Sequence, residues 1–153
     1  MIREDLEQVF AVQCRAHAPD YHEPVEALAS RLESGGDHCF VAAGAEGLAA
    51  YLLAHPWRGS PPALHRPLIC AGEPDHLFLH DLAVAPECRG QRVAVALLEA
   101  LLAKAQGRRF AEIRLVALAG AQAFWLAHGW RAQAAPLAGA YGEGACLMSR
   151  SLG

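Results

Sequence analysis

The chain has 153 residues, 54% hydrophobic and 19% charged, with 13 Lys and Arg against 16 Asp and Glu for a formal net charge of −3. That length suits a single domain, residues 1–153, able to bury about two-thirds of its unfolded surface without a metal or disulfide staple. The acidic balance argues against a general nucleic-acid binder, which needs a basic surface, and no apolar run approaches the ~20 residues of a membrane span.

The first ten residues, MIREDLEQVF, open an acidic amphipathic helix and carry no signal-peptide core, so a cytoplasmic location is expected. Leu6, Val9, Phe10 and Gln13 or Cys14 mark one helical face. Val25, Leu28, Ala29 and Leu32 mark a second, behind Glu23-Pro24 and stopped by Gly35-Gly36. HCFVAA (His38–Ala43) and LAAYLLAH (Leu48–His55) flank the glycine-bounded segment Gly44–Gly47 and predict a hairpin. A loop holding Pro56, Pro61, Pro62, Pro67 and Pro74 follows. At about twenty residues it exceeds the usual connection, which favours a lid or an acceptor-side wall over a plain linker.

HLFLHDLAVA (His76–Ala85) is apolar on both faces and reads as a central strand, and a helix from about Arg92 to Gln106 ends at Gly107. A strand over Phe110–Ala117, a short helix from about Ala119 to His128 stopped by Gly129, and a last strand over Ala145–Leu152 complete the series. The order ααββ, βα, βα, β predicts an α/β protein with a mixed sheet. Five cysteines (Cys14, Cys39, Cys70, Cys88, Cys146) are odd in number and form no C-x-x-C pair, so they read as reduced thiols. Cys88, near a helix start, is either a thiol of lowered pKa or a small turn residue.

The most informative stretch is LAVAPECRGQRVAVALL, Leu82 to Leu98, which joins an apolar strand to an apolar helix through a short turn. Helix starts leave backbone N–H groups unpaired and carry partial positive charge, so such a turn can hold a diphosphate. The segment resembles the acyl-CoA loop of the GNAT superfamily of N-acetyltransferases, R/Q-x-x-G-x-G/A after a strand ending in L-A-V-x-P. Arg89 and Ala94 match its ends, and Arg92 stands at the middle glycine. Downstream, FWLAHGW (Phe124–Trp130) is similar to the family's F-Y-x-x-x-G-F, with Trp125 in place of the tyrosine. The two matches cover the C-terminal half of the chain.

The resemblance implies a GNAT-like fold, with a central mixed sheet and helices on both faces, and acetyl-CoA as co-substrate. It also implies that the backbone of Leu82, Ala83 and Val84 pairs with the pantetheine arm. Arg89, Gly90, Gln91, Arg92, Val93 and Ala94 would hold the diphosphate, with Phe124 and Trp125 on the cofactor side. The family's first strand is reduced here to little more than Met1 to Arg3. Arg92 can reach a phosphate in place of the backbone approach that a glycine permits.

Acetyl transfer to an amine needs a proton acceptor, and strand alternation puts Phe78, His80, Leu82 and Val84 on one face. A member of the family has a histidine at the spacing of His80 before its own L-A-V, and an ordinary imidazole pKa near 6.5 suits the task. The other reading of His80 is a partly buried ring bonded to a carbonyl or to a carboxylate such as Asp81. Trp125 cannot supply the family's phenolic acid. Tyr141, in the loop before the last strand, and Tyr51 are the available phenols, though such a ring is more often structural with a satisfied hydroxyl.

The histidines show no metal-ligand spacing, so no metal is assigned. Asp20, His22, Glu23 and Glu26 either attract an ammonium group or form a solvated helix start. His55-Pro56-Trp57 offers an aromatic wall to the acceptor. The expected activity is therefore transfer of acetyl from acetyl-CoA to a primary amine of a small molecule, with His80 as a water-assisted base, in a monomer or homodimer. Two other readings stand beside it. One is a non-catalytic acyl-CoA-binding sensor or interaction module, favoured by Arg92 and Trp125. The other is a protein-modifying acetyltransferase, which wants a long open groove that the proline-rich loop would narrow.

Overall fold

The computed structural model describes every residue except 107, 108 and 138, so the helix stop expected at Gly107 lies outside the described residues. Six strands form one sheet in the order β1-β2-β3-β4-β6-β5: β1 Phe40–Gly44, β2 Gly47–Trp57, β3 His76–Val84, β4 Glu112–Ala117, β5 Arg131–Ala132 and β6 Cys146–Ser151. Only β3 and β4 pair in parallel, and the other neighbours are antiparallel. Helices α1 (Leu6–Ala16) and α2 (Val25–Gly35) cover one face, and α3 (Val93–Ala105) and α4 (Gln122–Ala127) the other.

Alternation along β2 builds both cores. Ala50, Leu52 and Ala54 pack with Leu97, Leu98 and Leu101 of α3 and with Trp125, while Tyr51 and Leu53 pack with Val9, Val12 and Leu28 of α1 and α2. A strand apolar on both sides must lie inside a layered sheet, which is what the runs in β2 and β3 dictate. The two-residue strand β5 was not expected from the sequence, because Arg131 and Ala132 are exposed and carry no apolar alternation. Arg3–Asp5 forms a 3-10 turn leading into α1 where the family's first strand would lie.

Two irregularities position the site. Leu53 faces Asp81 and Ala54 faces Leu79, so His80 is an extra residue inserted in β3 as a β-bulge. A bulge reverses the phase of alternation beyond it. Leu77 and Leu79 share the α3 face with Leu82 and Val84, whereas Ala83 and Ala85 lie on the α1–α2 face. The expectation of Phe78, His80, Leu82 and Val84 on one face is thereby corrected, since strict alternation cannot cross the bulge. The second irregularity is a splay. β3 and β4 pair only at Leu77↔Ile113 and Phe78↔Arg114, while β4 remains paired with β6 over all its residues. From Leu79 onward the β4-side edge of β3 faces open space.

The long connection between β2 and β3 is pinned to this end of the sheet. Arg31 donates to the carbonyls of Ala63 (3.1 Å) and Arg66 (2.9 Å), Tyr141 donates to that of Pro62 (2.6 Å), and the Leu68 amide donates to Ser30 (2.8 Å). The loop is a fixed wall.

Candidate active site

The splay opens into a cavity of about 760 Å³ that gathers most of the sequence-predicted residues: His80, Leu82, Ala83, Val84, Arg89, Ala94, Phe124, Trp125 and Tyr141 all line it. Ala16, His17, Tyr21, Glu23, Leu64 and Asp81 line it too. Gly90, Gln91, Arg92 and Val93 sit outside the cavity lining, in the turn that opens α3. The first helical bond there runs from the Ala96 amide to the Arg92 carbonyl (3.1 Å), so the amides of Val93, Ala94 and Val95 have no intrahelical acceptor. No side chain caps this start and its first turn holds no acidic residue, which leaves an anion-attracting end.

Gly90 has φ +78° and Arg92 φ 61°, both left-handed. The middle position of the loop thus demands a conformation natural to glycine, and arginine adopts it at a cost of about 1–2 kcal/mol. The Arg89 guanidinium donates to the carbonyl of Ala16 (3.3 Å) and ties the turn to the end of α1.

His80 lines the cavity and is held through one ring nitrogen. Its Nε2–H donates to Glu23, across 57 residues of sequence, and both side chains are almost fully buried. Its Nδ1 is buried and has no partner among the described residues. The carboxylate partner is therefore Glu23, not Asp81. Glu23 also accepts from Arg31 (2.8 Å) and from the His65 amide (2.6 Å), and its own amide donates to Gln13 (2.7 Å). With Glu23 at 2% exposure, the solvated-helix-start reading of that residue is corrected. Burial works against its charge, but the His80 hydrogen bond and the His80 and Arg31 charges outweigh it and lower its pKa. Arg31 is wholly buried, and desolvation lowers its pKa against the pull of Glu23.

A second pair crosses the first. His17, at the C-terminus of α1, donates from Nε2 to Asp81 (2.9 Å), and Asp81 also accepts from Gln13 (3.3 Å) and from the Tyr51 hydroxyl. Burial opposes the charge on Asp81, yet the charge and hydrogen bond of His17 and the Tyr51 bond hold it down at about 2. Burial likewise opposes the His17 imidazolium, but the Asp81 carboxylate outweighs it and the pKa stands above the ordinary value; Arg89 offsets this in part.

All three phenols are committed, Tyr21 by donating to the Tyr141 carbonyl (3.2 Å). Tyr51 donates to Asp81, and burial with that carboxylate raises its pKa far above normal. Tyr141 donates to Pro62, and burial with the Glu23 charge pushes its pKa up, so it can serve a departing thiolate only by breaking that bond. Trp125 packs edge-on against Trp130 in the core, ring centroids 5.3 Å apart. His55 and Trp57 are buried residues of β2 and do not line the cavity, which corrects their expected role as an acceptor wall.

Sequence reasoning missed Arg31, the use of Glu23 as partner of His80, and the His17–Asp81 pair. Each joins residues 8 to 64 positions apart, and no local pattern marks such pairs. Among the described residues no cluster of His, Cys, Asp or Glu is placed to hold a metal, and no helix is long and apolar enough to cross a membrane.

The sequence pattern of the acetyltransferase (GNAT) family matches residues 3–130. No curated protein matches the chain in sequence. Among solved structures, the chain superposes on the GphF GNAT-like decarboxylase in complex with isobutyryl-CoA with a TM-score of 0.82 at 19% identity, covering 100% of this chain and 97% of that one. The loading GNATL domain of CurA from Lyngbya majuscula gives 0.83 at 14% identity, over 99% and 95% of the two chains. The ribosomal-protein-S18-alanine N-acetyltransferase from Escherichia coli gives 0.69 at 20%, over 99% and 90%. At these identities the likeness is one of fold.

Proposed function

The chain belongs to the acetyltransferase (GNAT) family, and from that membership we propose that residues 1–153 act as one catalytic unit transferring acetyl from acetyl-CoA directly to a primary amine of a small molecule. One observation carries this reading. His80 sits on a strand bulge at the cavity floor, its Nε2–H committed to Glu23 and its Nδ1 without a partner. With Nε2–H committed to the carboxylate, Nδ1 is the nitrogen left to act as a base, and it takes the proton of the attacking amine through a water that enters beside the buried ring.

The open edge of Leu82–Val84 offers backbone groups to the pantetheine arm, as a neighbouring strand would. The free amides of Val93–Val95, with Arg89 and Arg92, receive the diphosphate. The arm then runs from the α3 turn back along Val84 to Leu82, which brings the thioester to the bulge. Phe124 and Trp125 close the opposite side of the cavity. Tyr21, Leu64 and Tyr141 give the acceptor end a partly apolar lining, and the pinned loop narrows it against a peptide.

A second reading, acyl-CoA binding without turnover, is favoured by the three committed phenols and by Trp125 in the core. An amine panel with acetyl-CoA, followed by free-thiol release, separates the two. Turnover on a small amine supports the enzyme, and CoA binding without thiol release supports the sensor. The panel includes a carboxylated acyl-CoA with carbon dioxide as readout, because one structural neighbour is described as a GNAT-like decarboxylase.

A further inference from the structure

We propose that His17 is the proton donor to the departing CoA sulfur, filling the role left open by Trp125; this rests on the acetyl-transfer reading. Three observations place it there. His17 lines the same cavity as His80. Its Nε2–H is bound to Asp81, the residue immediately before the strand edge that takes the pantetheine arm. Of the three phenols, Tyr51 is donated to Asp81, Tyr141 to the Pro62 carbonyl and Tyr21 to the Tyr141 carbonyl (3.2 Å).

The surroundings keep His17 charged. Asp81 faces it from β3 and Arg89 from the turn before α3, while Tyr51 from β2 and Gln13 from α1 share the Asp81 carboxylate. The His22 ring bonds the His17 carbonyl (2.9 Å) and fixes the end of the helix. A cation at a helix C-terminus also gains from the macrodipole. With Nε2–H held by Asp81, Nδ1–H of the imidazolium is the proton to give.

The step balances. The amine nitrogen forms the bond to the acetyl carbon and its proton passes through water to His80. The C–S bond breaks with its electron pair on sulfur, and the Nδ1 proton of His17 moves to that sulfur. The products are the amide, CoA thiol, a protonated His80 and a neutral His17, and both rings reset by exchange with water.

The test compares the parent with His17→Gln, using CoA itself as probe. If His17 lies against the sulfur, binding raises the acid constant of the CoA thiol by about tenfold or more, read from the ultraviolet thiolate band across pH. In His17→Gln, with melting and CoA affinity retained, that shift disappears. Turnover falls by ~10²-fold with the KM for acetyl-CoA kept, and the alkaline limb of the kcat profile is lost. Identical bound-thiol titrations in parent and variant, or an alkaline limb that survives, overturn the proposal. A parent that acetylates no amine but shows the thiol shift, lost in the variant, overturns the acetyl-transfer reading and keeps His17 at the sulfur. Should His17→Gln fail to fold, nitrogen NMR of the His17 ring in the parent decides. Its pKa rises with CoA and not with desulfo-CoA if the proposal holds, and responds alike to both if it does not.

Discussion

His80 and Asp81 are consecutive residues of β3, yet their side chains engage partners from the same side of the sheet, His80 meeting Glu23 ahead of α2 and Asp81 meeting His17 at the end of α1. The bulge makes this possible, since neighbours in a regular strand point to opposite faces. The two pairs are crossed: the strand supplies one histidine and one carboxylate, and the α1–α2 connection supplies the complement of each. Both imidazoles are thereby fixed against a carboxylate in the lining of one cavity.

His80→Gln keeps a donor toward Glu23 and removes the base. Turnover is expected to fall by ~10²-fold or more with CoA affinity nearly unchanged, and the rising acid limb of the pH–rate profile should vanish. Turnover within a few-fold of the parent and an unaltered profile return His80 to a structural role.

The turn before α3 predicts a ligand effect. Acetyl-CoA at a hundredfold excess over its Kd should stabilise the fold by about 2.7 kcal/mol, visible as a raised melting temperature. Arg92→Ala should weaken CoA binding by about tenfold through loss of a charge-assisted phosphate contact, and Arg92→Gly, which relieves the left-handed backbone, should recover part of it. Calorimetry on the three proteins measures both effects, and equal affinity of parent and Arg92→Ala rules out the contact.

Glu23→Ala leaves the Arg31 guanidinium buried without its carboxylate, and the expected loss is about 3–5 kcal/mol in urea unfolding. Because its folded pKa is lowered, the contribution of the Glu23 charge is complete above the unfolded value and fades as pH falls through the folded one. The variant should accordingly lose less stability than the parent on acidification below about pH 4.5.

His55 gives a separate acid dependence. Burial holds its pKa down to about 3, with the nearby His80 and Arg31 charges assisting, and burial also lowers that of His76. The unfolded chain therefore takes up protons that the fold refuses as pH drops below about 6.5, and stability declines from there. His55→Phe should flatten the dependence between about pH 6 and 4.5 by close to one proton, ~1.4 kcal/mol per pH unit, measured by urea midpoints across pH. A slope equal to that of the parent excludes His55 as its source.

The elements were legible where apolar periodicity was strong: α1 to α3, the β1–β2 hairpin and the central strand β3 stand within a few residues of their expected bounds. The turn over Arg89 to Ala94 that opens α3 was legible, even with arginine at the left-handed position. The bulge was not, because HLFLHDLAV carries no glycine and is apolar on both faces, so nothing in its pattern marks a phase change. Glu23 was legible only as an acid before Pro24. That it is buried follows from Arg31 two helical turns later meeting the proline-rich loop, a consequence of tertiary packing.

The two-rung junction between β3 and β4 also bears on product release. Pantetheine is peptide-like, with two amides in an extended chain, so on the proposed acetyl-transfer reading it would stand in for a missing strand along Leu82–Val84. Spent CoA retains both amides and its diphosphate, so every contact made along that edge would be as good after the reaction as before. Such uniform binding deepens affinity without hastening the chemical step, which leaves discrimination between reactant and product to the few atoms at the bulge.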